Sequence, residues 1–304
     1  MPPGIFNKHR LPLAAALLLA VMAAVFFLWP APPSVIGPPL PSPNGYDDFV
    51  KAGTMLATLS TDYTKMSMEE LKACLSTNQE PLRLLRLGLT RECRIPTEDS
   101  ADYIQRHSTD LMGIKKMAQL LSGEGRLAEM EGRFADAAKS HLDNMRYGPA
   151  SANGGLIIDK LVGVAVENIG TEGIERIVGK LDAHQAREVI TILEAADARS
   201  TPATVFLARD REWSRKAGKW TDTFQAMWMA KTFFPTRQTE QKFIAKLQAT
   251  DLRRQKLLLA LASRIHELET GKRPQQTSDL VPGIFRAIPK DPGTSADLTF
   301  PESR

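Results

Sequence analysis

Cysteine is scarce in this chain: Cys74 and Cys93 are the only two among 304 residues. Two thiols with neither a CxxC spacing nor a paired histidine exclude a metal knuckle and allow at most one internal disulfide. Charge is absent from residues 11–46. Also missing are HExxH, GxSxG and the lysine and hydroxyl residue that complete a P-loop, so the short signatures of zinc proteases, serine hydrolases and P-loop nucleotide binders are gone. Excess positive charge is lacking as well. The formal net charge of +4 includes Lys8 and Arg10, which leaves +2 for everything after them. A nucleic-acid binder normally concentrates far more Lys and Arg on one face, so no nucleic-acid partner is expected.

The uncharged stretch begins with LPLAAALLLAVMAAVFFLW, residues 11–29. As a helix it would span ~28 Å, close to the ~30 Å hydrocarbon core of a bilayer. It therefore reads as a single transmembrane anchor. Lys8, His9 and Arg10 precede it and no charge follows until Asp47. By the positive-inside rule the N-terminus, residues 1–10, is cytoplasmic and the main domain lies outside the cytoplasmic membrane. Trp29-Pro30-Ala31-Pro32 supplies no clean signal-peptidase site, so the segment is read as a signal-anchor.

Residues 30–45, PAPPSVIGPPLPSPNG, are dominated by proline, which favours extended polyproline II and makes a semi-rigid linker. From residue 46 to residue 271 the apolar spacing is helical. Tyr46, Phe49, Gly53, Leu56 and Leu59 share one face, and Ser67 with Glu70 forms a capping box for a second helix. Pro81 opens a third. Cys74 and Cys93 fall on this hairpin and form the candidate disulfide, the alternative being two buried thiols. A stripe from Tyr103 to Leu121 predicts a helix broken by Gly123 and Gly125. Gly163, Gly170 and Gly173 fit close helix crossing, and Asp182 starts a helix with Ala186, Val189, Ile190 and Leu193 inward.

After Thr201-Pro202 comes a heptad-spaced run, Phe206, Trp213, Trp220, Met227 and Phe234, with Phe224 and Trp228 alongside. Arg209, Arg211, Arg215, Lys216 and Lys219 are its basic neighbours. Phe206, Trp213, Trp220, Phe224, Met227 and Trp228 form a candidate interaction stripe for an interface or an acidic partner, against the plainer reading of a core-facing seam. A long helix then runs from Thr236 to Glu269, with Leu247, Leu258, Leu261, Ile265 and Leu268 inward and Gly271 as its cap.

Catalytic constellations are not apparent. His107, His141, His184 and His266 are scattered, and the adjacent pairs His141–Asp143 and His266–Glu267 point to different helix faces. The loop SANGG lacks P-loop spacing. Glu129, Glu131 and Asp136 read as a solvated face. The expectation is no catalytic residue, no cofactor and no metal, unless two or more of His141, Asp159, Glu167 and Arg209 converge in one cleft.

Three resemblances follow. The segment GRLAEMEGRFADAAKSHLDNMRYGP resembles one tetratricopeptide repeat at Gly125, Gly132, Ala137 and Pro149, with His141 where an aromatic is expected. The tail, residues 272–304, resembles the end of type II secretion major pseudopilins: Gly271, Pro274, Leu280, Val281, Pro282, Pro289, Asp291 and Pro292 occur in that order. Gly293 to Asp297 lacks the continuation of the pseudopilin calcium site, so no calcium is implied. Taken whole, with CRIP, EGRLAEMEGR, LVGVAVE and RDREW, the chain resembles a set of uncharacterised bacterial single-pass membrane-anchored helical proteins.

These readings combine into an all-α protein: one N-terminal transmembrane helix, an extracytoplasmic array of helical hairpins, and a short irregular C-terminal tail. The expected function is a non-enzymatic, membrane-anchored envelope protein whose helical domain binds a protein partner. The alternatives are a secretion or pilus-associated envelope component, suggested by the tail, and an enzyme.

Overall fold

A computed structural model describes residues 37–57, 63, 65–100, 102–198, 201–217 and 237–300. The chain divides into two units, Met1–Ser34 and Val35–Arg304, and all described residues belong to the second. The apolar run 11–29 and residues 30–36 of the proline-rich linker lie outside them. No helix among the described residues is long and apolar enough to cross a membrane.

The described residues are all-helical and contain no strand. Three short helices come first: α1 (Gly45–Thr54), α2 (Met68–Thr77) and α3 (Gln79–Leu89). The end of the linker is tied to them. Arg94 donates to the Pro39 carbonyl, and Asn44, which caps α1, also bonds both backbone groups of Arg94. The last linker residues are thus part of the folded body. Ser67 caps α2 through the expected reciprocal box, its hydroxyl accepting from the Glu70 amide and the Glu70 carboxylate accepting from the Ser67 amide.

Longer helices follow: α4 (Tyr103–Met130), α5 (Phe134–Ala152) and α6 (Ile157–Ile177). The expected break at Gly123 and Gly125 does not occur. Both glycines lie inside α4 because they make room for rings: a Cβ on Gly123 would sit 2.8 Å from the Tyr63 ring, and one on Gly125 2.4 Å from the His141 imidazole. The helix ends instead at Gly132, whose φ of +74° suits glycine, and Arg133 donates back to the Ala128 carbonyl to close the cap. Pro149, the terminal proline of the repeat-like pattern, lies within α5.

Helices α5 and α6 cross in close contact. A Cβ on Gly148 would meet the Gly163 carbonyl oxygen at 2.3 Å, and one on Gly170 the His141 carbonyl at 2.5 Å. Only glycine lets the two backbones touch, as the spacing of Gly163, Gly170 and Gly173 implies.

A 3₁₀ turn (Val178–Lys180) leads to α7 (Ala183–Ala198), followed by α8 (Ala203–Ala217) and the 34-residue α9 (Arg237–Thr270). Ala186, Val189, Ile190 and Leu193 of α7 are buried as their stripe requires. Along α9, Leu247, Leu258, Leu261 and Ile265 are buried, whereas Leu268, expected inward, is exposed one turn later. Gly271 closes α9 with its amide on the Glu267 carbonyl.

Two large apolar clusters form the core. One gathers α1 to α4 around Phe49, Leu85, Met117 and Tyr147, with Tyr147 edge-on to Phe49 at 4.8 Å. The other joins α5, α6, α7 and α9, and it includes Leu280, Phe285 and Leu298 from the tail. What the sequence presents as an appended tail is a wall of the second cluster.

The two cysteines occupy separate settings and are both free thiols. Cys93 is buried at the α1–α3 crossing, 3.4 Å from the Gly88 carbonyl, and burial pushes its thiol up to about 12. Cys74 is half-buried near Tyr63, and burial raises it as well. Neither has the thiolate character that drives exchange. Alkylation of the native chain followed by mass spectrometry should modify Cys74 slowly and Cys93 only after denaturation; recovery of a Cys74–Cys93 linked peptide without reductant would contradict the free pair.

Candidate functional site

A cluster of ionisable and aromatic side chains surrounds the N-terminus of α6. The loop before it, Asn153 to Leu156, turns through two glycines and leaves the first amides of α6 in need of acceptors. Asp159 takes one, accepting from the Leu156 amide at 2.6 Å, and Asp210 of α8 takes another, accepting from the Ile157 amide at 3.3 Å. Arg209 donates to the Gly155 carbonyl at 3.1 Å. The amides that a phosphate would use are thus bonded to the chain's own carboxylates. Burial, with Asp159 nearby, pushes the Asp210 carboxyl above its ordinary range despite that amide.

The other oxygen of Asp159 meets His107 Nε2 of α4 at 2.5 Å, and His107 Nδ1 lies 3.5 Å from Asp110. His107 is 5% exposed and Asp159 1%. Burial opposes a charged imidazole, but Asp110 and Asp159 outweigh it and raise His107 to about 9. The two carboxyl groups thus favour the charged form of the imidazole. Tyr103 stacks on the imidazole at 4.9 Å and 13°, and Tyr46 of α1 lies 6.3 Å from it. Burial raises both phenols, so they stay protonated. Trp213 of α8 packs on Tyr103 at 6.3 Å and donates its indole N–H to the Glu98 carbonyl at 2.8 Å.

Chemically, a charged histidine is a donor and cannot act as a base, and its carboxylate is already bonded on both oxygens. The cluster ties α1, α4, α6 and α8 together. Of the four residues whose convergence would mark an active site, Asp159 and Arg209 meet around Gly155, while the other two are committed elsewhere. His141, fully buried between Gly125 and Gly173, bonds Glu129 at 2.7 Å, and Glu129 also accepts from Arg176. Burial alone would raise Glu129; those two partners take it down to about 2. It therefore does not belong to the solvated face, unlike Glu131 and Asp136, which pair with exposed Arg133. Glu167 bonds Arg254 at 2.6 Å, and the same guanidinium holds Asp197 and Asp251.

Two residues of the aromatic stripe are described. Phe206 is 2% exposed in a small cluster with Val164, Leu207, Phe243 and Leu247, and Lys160 sits 5.7 Å over its ring. Trp213 is half-buried. Both face inward. Trp220, Phe224, Met227 and Trp228 lie outside the described residues. No group of three or more metal-ligating side chains is assembled among the described residues.

The sequence singled out Asp159 and Arg209 but not His107, the partner of Asp159. Asp159 had a local signal, since it stands at the third position of a helix opened by Gly-Gly. His107 lies 52 residues away and had none.

No protein-family model matches the chain, and neither does any curated protein or solved structure.

Proposed function

We propose that the chain is a non-enzymatic envelope protein, anchored in the cytoplasmic membrane by residues 11–29, whose helical body outside that membrane is a scaffold for a protein partner. One observation carries this reading: the buried histidines and arginine of the body are each paired with a carboxylate from another helix. His107 with Asp159, His141 with Glu129, and Arg254 with Glu167 are buried or half-buried pairs that join helices inside the body. Such pairs hold a rigid helical surface, and binding energy on such a surface comes from grooves and exposed apolar anchors. The order of glycines and prolines in residues 271–292 favours, as a second reading, a partner within secretion or pilus machinery.

The test is photocrosslinking in native membranes with benzoylphenylalanine placed in turn at Met112, Ala260 and Arg286, all exposed. A discrete protein adduct formed on the extracytoplasmic side is expected from at least one position. Absence of any adduct, or labelling showing the body on the cytoplasmic side, would overturn the proposal. A secretion-system subunit as the adduct would select the second reading.

A further inference from the structure

Along the C-terminal half of α9 runs an open groove of about 840 Å³, bounded by the 3₁₀ turn at Val178–Lys180 and by Thr299 and Phe300. Its apolar wall comes from Val178, Leu259 and Phe300, which pack on the second core cluster. Its rim is cationic. Lys256 is exposed and makes no ion pair among the described residues. Arg264 and Arg273 share a single carboxylate, Glu267, at 3.8 Å and 3.3 Å. Three cations against one acid leave the rim two charges short of balance. Arg264 also donates to the Leu181 carbonyl, which fixes its position beside the groove.

Volume, shape and charge restrict the occupant. A space of ~300–1,000 Å³ accommodates a few side chains, and an open groove suits an extended chain better than an enclosed ligand. Uncompensated cations around apolar surface attract a segment that carries carboxylates and repel a basic one. We infer that this groove receives an acidic segment of the partner protein, with its apolar side chains on Leu259, Val178 and Phe300 and its carboxylates facing Lys256, Arg264 and Arg273. The inference rests on the reading of the body as an interaction scaffold and names the chemistry of the partner. The tail supplies Arg273, Thr299 and Phe300, so the groove exists only when the tail is packed.

The probe is a short fluorescein-labelled peptide alternating glutamate and leucine, with a lysine–leucine peptide as its counterpart. Fluorescence anisotropy is measured on the full chain in nanodiscs, with empty nanodiscs as the blank. The acidic peptide should bind saturably and more weakly at high salt, and the basic one should not bind. The double variant Lys256→Glu and Arg273→Glu alters two exposed side chains, so its thermal melt should match the parent while affinity for the acidic peptide falls by about tenfold or more. Equal binding of both peptides, no binding of the acidic one, or unchanged affinity in the double variant would overturn the inference. An adduct at Met112 together with any of these outcomes would retire the groove and leave the scaffold reading standing; absence of adducts at all positions would retire both.

Discussion

Replacing Asp159 with alanine should lower the unfolding free energy by about 3–5 kcal/mol, the usual cost of removing one partner from a buried charge pair. Two losses add. His107 keeps only Asp110, at 3.5 Å, and the Leu156 amide loses its acceptor at the start of α6. Asp159→Asn separates the two, because an amide oxygen can still accept from Leu156 while the charge is gone; it should fall between the parent and the alanine variant. The parent should also show the pair in its pH dependence. His107 binds its proton more tightly folded, at about 9, than in an unfolded chain at 6.5. Its contribution is therefore complete below pH 6.5 and is lost as pH rises through 9, on the order of 3 kcal/mol. In Asp159→Ala that alkaline slope should shrink, since burial then dominates and disfavours the imidazolium. Denaturant titrations at pH 6 and pH 9 measure both effects. An alanine variant as stable as the parent, with the same slope, would mean that the pair does not hold the body together.

The contrast between Asp159 and His107 shows what was legible in the sequence. Local rules worked wherever the cause was local. Ser67 with Glu70, Gly271 after α9, and the i, i+3, i+4 stripe of α7 each act within one or two turns, and the structure follows them. The glycines of α6 were legible because a run of small residues on one helix face has few uses other than close crossing. Gly123 and Gly125 misled for the complementary reason. Glycine lowers helix propensity by about 1 kcal/mol, but a packed ring offsets that cost, and the rings of Tyr63 and His141 come from distant positions. Glu129 was misread in the same way: its neighbours in sequence are solvated, while its partners, His141 and Arg176, are 12 and 47 residues away. Binary pattern reveals which face of a helix turns inward; it does not reveal which polar side chains meet there.

Truncation after Thr270 should do more damage than any single substitution. Residues 272–304 read as an irregular appendage, and an appendage could be removed with the body intact. The packing argues otherwise. Leu280 is fully buried, Phe285 is 3% exposed and Leu298 9%, all in the cluster with Ile174, Leu193, Leu258 and Ile265. At ~1.5–3 kcal/mol for each buried side chain, their loss removes about 5–9 kcal/mol of apolar burial. That is comparable with the ~5–15 kcal/mol net stability of a typical domain. The truncated chain should therefore fail to give a cooperative melt and should be degraded rapidly by added protease. A truncated chain that melts like the parent would show instead that the tail contributes nothing to the second cluster. The consequence reaches function. Loss of a secretion or assembly phenotype on truncation would follow from unfolding alone, so the pseudopilin-like reading needs changes that leave the core intact. Arg286→Glu and Lys290→Glu meet that condition, because both side chains are exposed while Phe285 stays packed. A phenotype from those charge reversals, with melting unchanged, would assign the tail a binding role beyond its place in the core.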